Sequence, residues 1–307
     1  MTDFYMMIGL SGSGKTHFGR AIAKNNNAVY VSSDLFRKEK YGDESIQGDN
    51  EELFDSVYRI ILQHLANEKS VVFDATNLNY KRRMSFLQRI KSVKCSKIAI
   101  WVATPVQACL KNNESRERKI PEYVIDRQFK SFTIPQYFEG WDNIEIIWNI
   151  RDELNYDAEV IFEYLDKMEQ DNSHHVLTVG QHCQKVFDIL RDGEYTNSYQ
   201  EMIVCAAGIL HDVGKMYTKT FRDSRGNPSE EAHYYNHEAC SAYVSAFLLR
   251  YSGYSDHEIL DISGLIQYHM RPYGMVTEKS KNKFLNLVGQ EFYDNLMILN
   301  DADKRAK

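Results

Sequence analysis

The chain has 307 residues, 43% hydrophobic and 26% charged, the balance of an ordinary globular protein with length enough for two domains. No run approaches the ~18 apolar residues of a membrane span, and the N-terminus lacks the basic-then-apolar pattern of a secretory signal, so a cytoplasmic protein with no membrane attachment is expected. A net charge of −6 argues against a broad footprint for long duplex nucleic acid and leaves a local basic groove for any oligonucleotide.

An apolar run over 4–8 predicts a buried strand. It opens onto Gly9-Leu10-Ser11-Gly12-Ser13-Gly14-Lys15-Thr16, which fits G-x-x-x-x-G-K-[ST] completely, and 16–23 follows with apolar residues at helical spacing. Strand, glycine loop and helix in that order form a phosphate site. The glycines let backbone N–H groups converge on phosphate oxygens, and the helix N-terminus adds positive charge. Gly12, Ser13, Gly14, Lys15 and Thr16 are therefore the candidates for binding ATP or another NTP. Lys15 would reach the terminal phosphates and the Thr16 hydroxyl would hold Mg²⁺.

Further strands are expected over 28–31, 70–73, 97–102 and 144–148, with helices between them, one over about 51–67 and one opening at Lys81-Arg82-Arg83. Near-continuous apolar strands alternating with helices indicate a parallel sheet covered on both faces. Past 149 the period changes to helices near 156–168, 176–193, 199–211, 236–251, 256–269 and 288–301, with a loop at 224–228. The fold class is thus an α/β P-loop domain over 1–152 followed by an all-α domain over 153–307, without a flexible linker. Five cysteines, Cys95, Cys109, Cys183, Cys205 and Cys240, contain no C-x-x-C and read as buried thiols rather than a disulfide framework or zinc site.

In the first half, Asp34 follows a strand at the carboxyl edge of the sheet, where such sheets bind ligands. A carboxylate there can accept the proton of an attacking hydroxyl, and Arg37, one turn later, can grip an acceptor phosphate; alternatively Asp34 is a helix N-cap. Asp74, ending the third strand, reads as a carboxylate for magnesium-bound water or as a turn residue. Arg116, Arg118 and Lys119 lie between helices, suited to a lid over the transferring phosphate or, more plainly, a solvated charge run.

The ordered set GLSGSGKT, SSDLFR, FDATNLNYKRR and NNESRERKIP resembles the kinase domain of phage and bacterial 5′-OH polynucleotide kinases over roughly 1–150. The resemblance implies Asp34 as general base, Arg37 on the 3′-side phosphate of the acceptor, and Arg116, with Arg118 as the alternative, as the lid arginine. The phage enzyme's aspartate-nucleophile phosphatase motif is not visible here.

The second half holds His211-Asp212-Val213-Gly214-Lys215, a histidine and aspartate that can chelate one ion. Imidazole and carboxylate suit Mn, Fe, Co, Ni or Zn. His182 is expected on a helix beginning near His175; His237, His269, Asp301 and Asp303 follow downstream. HCQKV, GILHDVGK, NHEACSA, IQYHM and NDADKRA resemble the HD phosphohydrolase superfamily over roughly 160–307. The resemblance implies His182, His211, Asp212 and Asp303 as metal ligands, with Asp301 competing for the last place. It gives His237 and His269 to a second metal or the scissile phosphate, and Lys215 to a phosphate oxygen. His233 lies four residues before His237 and leaves a different histidine pair open.

Together the halves resemble fused RNA end-healing proteins. The kinase would act on RNA or DNA 5′-OH ends and the hydrolase on RNA 2′,3′-cyclic phosphate or 2′- or 3′-phosphate ends, with an RNA ligase acting downstream. The alternatives are a nucleoside or sugar kinase fused to a nucleotide phosphohydrolase, or a nucleotide-sensing module with a vestigial HD site.

Overall fold

The computed structural model describes residues 2–43, 46, 50–151, 155–173 and 176–306. The chain divides into two compact units, Met1–Gln128 with Pro135–Leu154, and Phe129–Ile134 with Asn155–Lys307. Residues 129–134, which fall inside the first domain by sequence, go with the second unit.

The first unit runs β1 Asp3–Ile8, α1 Lys15–Asn25, β2 Val29–Ser32, α2 Ser33–Tyr41, α3 Asn50–Ala66, β3 Val71–Asp74, α4 Tyr80–Arg89, β4 Ser96–Ala103, α5 Val106–Glu114, α6 Glu122–Lys130 and β5 Asn143–Trp148. Its sheet is parallel throughout, in the order β2-β3-β1-β4-β5. Alternation along each strand sends side chains to opposite faces. Tyr5, Met7, Val72, Ile100 and Val102 share one face with Phe18, Ile22 and Ala23 of α1. On the other, Phe4 and Phe73 meet Phe86 of α4, which also stacks on Tyr58 of α3. Helices therefore cover both faces. β1 lies mid-sheet, so the glycine loop leaves at the carboxyl edge, where doubly wound sheets bind ligands.

The loop after β3 is pinned from below. The buried Arg83 guanidinium makes two hydrogen bonds to Glu139, at 2.8 and 2.6 Å, and donates to the carbonyls of Asn77 and Leu78. A charge this buried is tolerated only because every side of it is paired. Asn77 in turn donates to the Met7 carbonyl, and Gly9 N–H to the Thr76 carbonyl, so this loop and the glycine loop are tied together.

The second unit contains α7 Ala158–Lys167, α8 Val179–Arg191, α9 Ser198–Leu210, α10 Lys215–Thr218, an antiparallel hairpin of β6 Thr220–Arg222 and β7 Pro228–His233, α11 His237–Tyr251, α12 Asp256–Tyr268, α13 Glu278–Val288 and α14 Gln290–Arg305. Phe129 and Phe132 pack edge-on against Tyr243, and Phe129 also against Tyr217. α8 begins at Val179, not near 175: Thr178 accepts from the Gln181 N–H while the Gln181 side chain reaches back, a capping box that sets the start. His175 lies outside the described residues. The hairpin and α13 were not expected from sequence; the hairpin strands are mostly solvent-exposed and carry no buried apolar run. All five cysteines are free thiols, four of them buried.

Candidate functional sites

In the first unit Gly12 and Gly14 have φ of 85° and 94°, the left-handed region open to glycine. A side chain on Gly12 would meet the Cys109 carbonyl at 2.3 Å. Gly14 precedes α1 with no side chain capping the helix, so its first N–H groups are left for an anion. The Lys15 ammonium is buried and donates to the Leu10 carbonyl at 2.6 Å, with Ser13 Oγ at 3.5 Å. Burial lowers its pKa; Asp74 and Asp34 oppose that shift and Arg116 adds to it, so these three side chains lie within electrostatic reach of Lys15. Arg118 sits in the same 115–121 connection.

Thr16 Oγ1 donates to Asp74 Oδ2 at 2.8 Å, and the Tyr30 hydroxyl donates to the same oxygen at 2.5 Å. Hydroxyl and carboxylate thus converge on one point beside the loop, the donor set that suits Mg²⁺. Asp34 lies in the first turn of α2, but Ser32, not Asp34, caps that helix. Its carboxylate is about half exposed and 3.2 Å from buried Arg37, leaving it open to an acceptor.

Sequence reasoning missed the groups that hold the loop in shape. Asn112 donates to the Gly12 carbonyl at 2.9 Å, Thr104 and Asn149 both donate to the Ser13 carbonyl, and Gln128 accepts the Ser11 N–H. Asn113 bonds both N–H and C=O of Ile120, closing the Arg116 connection at its base. Asn112 and Asn113 open the NNESRERKIP stretch, but Asn112, Thr104, Asn149 and Gln128 meet the loop from separated segments, so no role for them follows from local order.

In the second unit five elements bring their polar groups to one centre. His182 comes from α8, His211 and Asp212 from the end of α9, His237 from the start of α11, His269 from the end of α12 and Asp303 from α14. Gly214 makes this possible: a Cβ there would lie 2.3 Å from the His237 carbonyl, so only glycine lets α11 come this close.

Asp212 is shared. Its Oδ2 lies 3.3 Å from His211 Nε2 and 3.6 Å from His182 Nε2, and its Oδ1 lies 3.1 Å from His237 Nε2 and 3.7 Å from His269 Nε2. Asp303 Oδ1 is 3.1 Å from His182 and 3.9 Å from His211. Asp301 instead pairs with Arg305 on the surface, and His233, in β7, bonds Ser229 at 3.0 Å rather than entering the cluster. Ligands about 2.1 Å from one ion lie roughly 3–3.5 Å from each other, close to these spacings.

The tautomers reinforce this. His211, His237 and His269 each place Nδ1 2.7–2.8 Å from the carbonyl three residues earlier. A carbonyl only accepts, so Nδ1 carries the proton and Nε2 points its lone pair inward. His237 and His269 then face each other Nε2 to Nε2 at 3.1 Å, an arrangement that needs a cation or a shared proton between them. Burial, then charge on His237 and His211, pushes His269 down to about 3, which disfavours the proton. Asp212 Oδ1 and His211 Nε2 are buried with no hydrogen-bond partner among the described residues. The site fits divalent metal.

Burial works against the ionised Asp212, but Lys215 and His211 outweigh it and hold the carboxyl well below its usual range. Burial also works against a charged His211, yet Asp212 raises it; a metal ion would replace that proton. Lys215 Nζ is 2.7 Å from Asp212 and donates to Gln170 at 2.7 Å. Gln170, whose own carbonyl receives the Tyr234 hydroxyl, and Tyr273, which donates to Asp303 Oδ2 at 2.7 Å, complete the outer layer. Neither was identified from sequence, where they lie outside the motifs.

Residues 4–135 match the family model described as an AAA domain, and residues 172–307 match that of the HD domain. L-seryl-tRNA(Sec) kinase of Methanococcus maripaludis is 28% identical over 178 residues, 54% of this chain and 66%, just under two thirds, of that relative. Similar solved structures include a putative kinase from Chloroflexus aurantiacus, with TM-score 0.42 and 13% identity over 54% of this chain and 97% of that one. Another is the Pnkp1/Rnl/Hen1 RNA repair complex, with TM-score 0.36 and 22% identity over 41% and 42%. The chain joins an AAA-type P-loop domain of kinase-like fold to a helical HD domain. Among the described residues, no helix is long and apolar enough to cross a membrane.

Proposed function

We propose that the chain heals broken RNA ends, phosphorylating a 5′-OH in the first unit and removing a 2′,3′-cyclic phosphate, or a 2′- or 3′-phosphate, in the second. The observation that carries the reading is Asp212, one carboxylate facing two histidine pairs within a chain that also has a P-loop. An enzyme with both chemistries can convert the two wrong ends of a ribonuclease break into the ends a ligase needs. The relative named as a seryl-tRNA kinase supports an acceptor hydroxyl carried on RNA.

In the first unit the loop amides and Lys15 hold the triphosphate, and Thr16 and Asp74 would hold its Mg²⁺. Asp34 accepts the proton of the attacking hydroxyl, Arg37 grips the neighbouring phosphate, and Arg116, or Arg118 beside it, covers the transferring group. In the second unit His182, His211, Asp212 and Asp303 would hold one ion of the Mn, Fe, Co, Ni or Zn kind, with His237 and His269 beside Asp212 for a second ion or the phosphate. Such an ion supplies Lewis acidity and lowers the pKa of water. Lys215, fixed by Gln170, binds a phosphate oxygen.

The test is end analysis of an RNA bearing a 5′-OH and a 2′,3′-cyclic phosphate after incubation with ATP and a panel of divalent metals. Conversion of both ends supports the reading; transfer to free nucleosides alone would instead make the first unit a small-acceptor kinase. Chelation should also lower the melting temperature of the second unit by about 5–11 °C, because an ion at ~100 times its Kd contributes about 2.7 kcal/mol to the state that binds it and each kcal/mol shifts a domain of this size by about 2–4 °C. A melt unchanged by chelator and by added Mn²⁺ would remove the metal from the account.

A further inference from the structure

The HD cluster forms the floor of a cavity of about 300 Å³, at the small end of ligand sites and large enough for a single nucleotide unit rather than a duplex. Its floor is polar and buried, with Asp212, His237, His269 and Lys215. Its rim is different. Tyr235, Met270 and Tyr273, also lining the cavity, are 43%, 40% and 39% exposed. Large apolar side chains held in water around one polar pocket mark a binding surface.

One part of the rim is already ordered as a stack. The rings of His233 and Tyr235 lie 5.4 Å apart with planes only 10° from parallel, and Ser229 holds His233 through its Nε2 at 3.0 Å. Both residues flank the end of β7, and His237 follows two residues after Tyr235. A flat aromatic face is thereby carried directly beside the phosphate-binding floor. A phosphate ester with a planar heterocycle one sugar away matches both chemistries.

We propose that Tyr235, backed by His233, is the stacking platform for the base of the nucleotide whose phosphate enters the HD cluster, making nucleoside phosphates and single-stranded RNA ends its substrate class. This rests on the hydrolase reading of the second unit. Stacking is tolerant of base identity because every base has a π-face, so the platform selects for a base without selecting which.

The test compares kcat/KM for adenosine 2′,3′-cyclic phosphate with that for the base-free methyl riboside 2,3-cyclic phosphate. The ratio should fall about 5-fold or more in Tyr235→Ala, mainly through KM, the lower edge of what one stacked base contributes, and should be kept in Tyr235→Phe. A ratio the same in Tyr235→Ala as in the unaltered protein overturns the platform. If the unaltered protein turns over neither ester, the hydrolase reading fails, and binding decides the platform separately. Quenching of 2-aminopurine riboside 2′-phosphate fluorescence, lost in Tyr235→Ala, then upholds it, and an unquenched probe overturns it.

Discussion

Asp212→Ala should strip the second unit of its metal and reduce phosphate release from 2′,3′-cyclic or 2′-phosphate ends by more than ~100-fold, while 5′ phosphorylation continues. The loss should exceed the ~10–100-fold typical of removing an outer partner of a ligand, because this carboxylate is approached on Oδ2 by His182 and His211 and on Oδ1 by His237 and His269. Removing it also leaves the Lys215 ammonium, 6% exposed, without its anion. Metal content measured by elemental analysis, alongside end analysis of both activities on one preparation, checks this. Loss of both activities in a folded variant would mean that the two sites are not independent.

Lys15→Ala should do the reverse, lowering 5′ phosphorylation by roughly 10²–10³-fold, the loss that follows removal of a group stabilising transition-state charge, with hydrolysis unaffected. The loop itself should keep its shape, since the Lys15 bond to the Leu10 carbonyl is one tie among several and Asn112, Thr104, Asn149 and Gln128 hold the rest of its backbone. ATP-dependent transfer to a 5′-OH oligonucleotide gives the readout, and transfer at the unaltered rate would remove Lys15 from the chemistry.

The candidate centres were legible in the sequence wherever they depend on neighbours in the chain. Gly9 to Thr16 is one loop between a strand and a helix, and His211-Asp212 are adjacent, so local order alone brings each set together. The resemblance prefers Asp303 to Asp301, and the helical phase of α14 turns the first toward His182 and the second toward Arg305. What was not legible depends on closure in three dimensions. Gln170 meets Lys215 across 45 residues and Asn112 meets Gly12 across 100, and neither has a spacing that marks it. The start of α8 was readable in principle: Thr178-Val179-Gly180-Gln181 is a capping box.

The six residues Phe129–Ile134 belong to the second unit, whereas Pro135–Leu154 returns to the first. No single cut can therefore release either unit whole. Truncation after 128 takes β5 from the edge of the sheet, and a start at 155 removes Phe129 and Phe132 from Tyr217 and Tyr243. During synthesis Ile134 leaves the ribosome 133 residues ahead of Gln267, the side chain that accepts its N–H. The partner of that short stretch is therefore made only when most of the polypeptide already exists, and a cut anywhere in the interval separates the two.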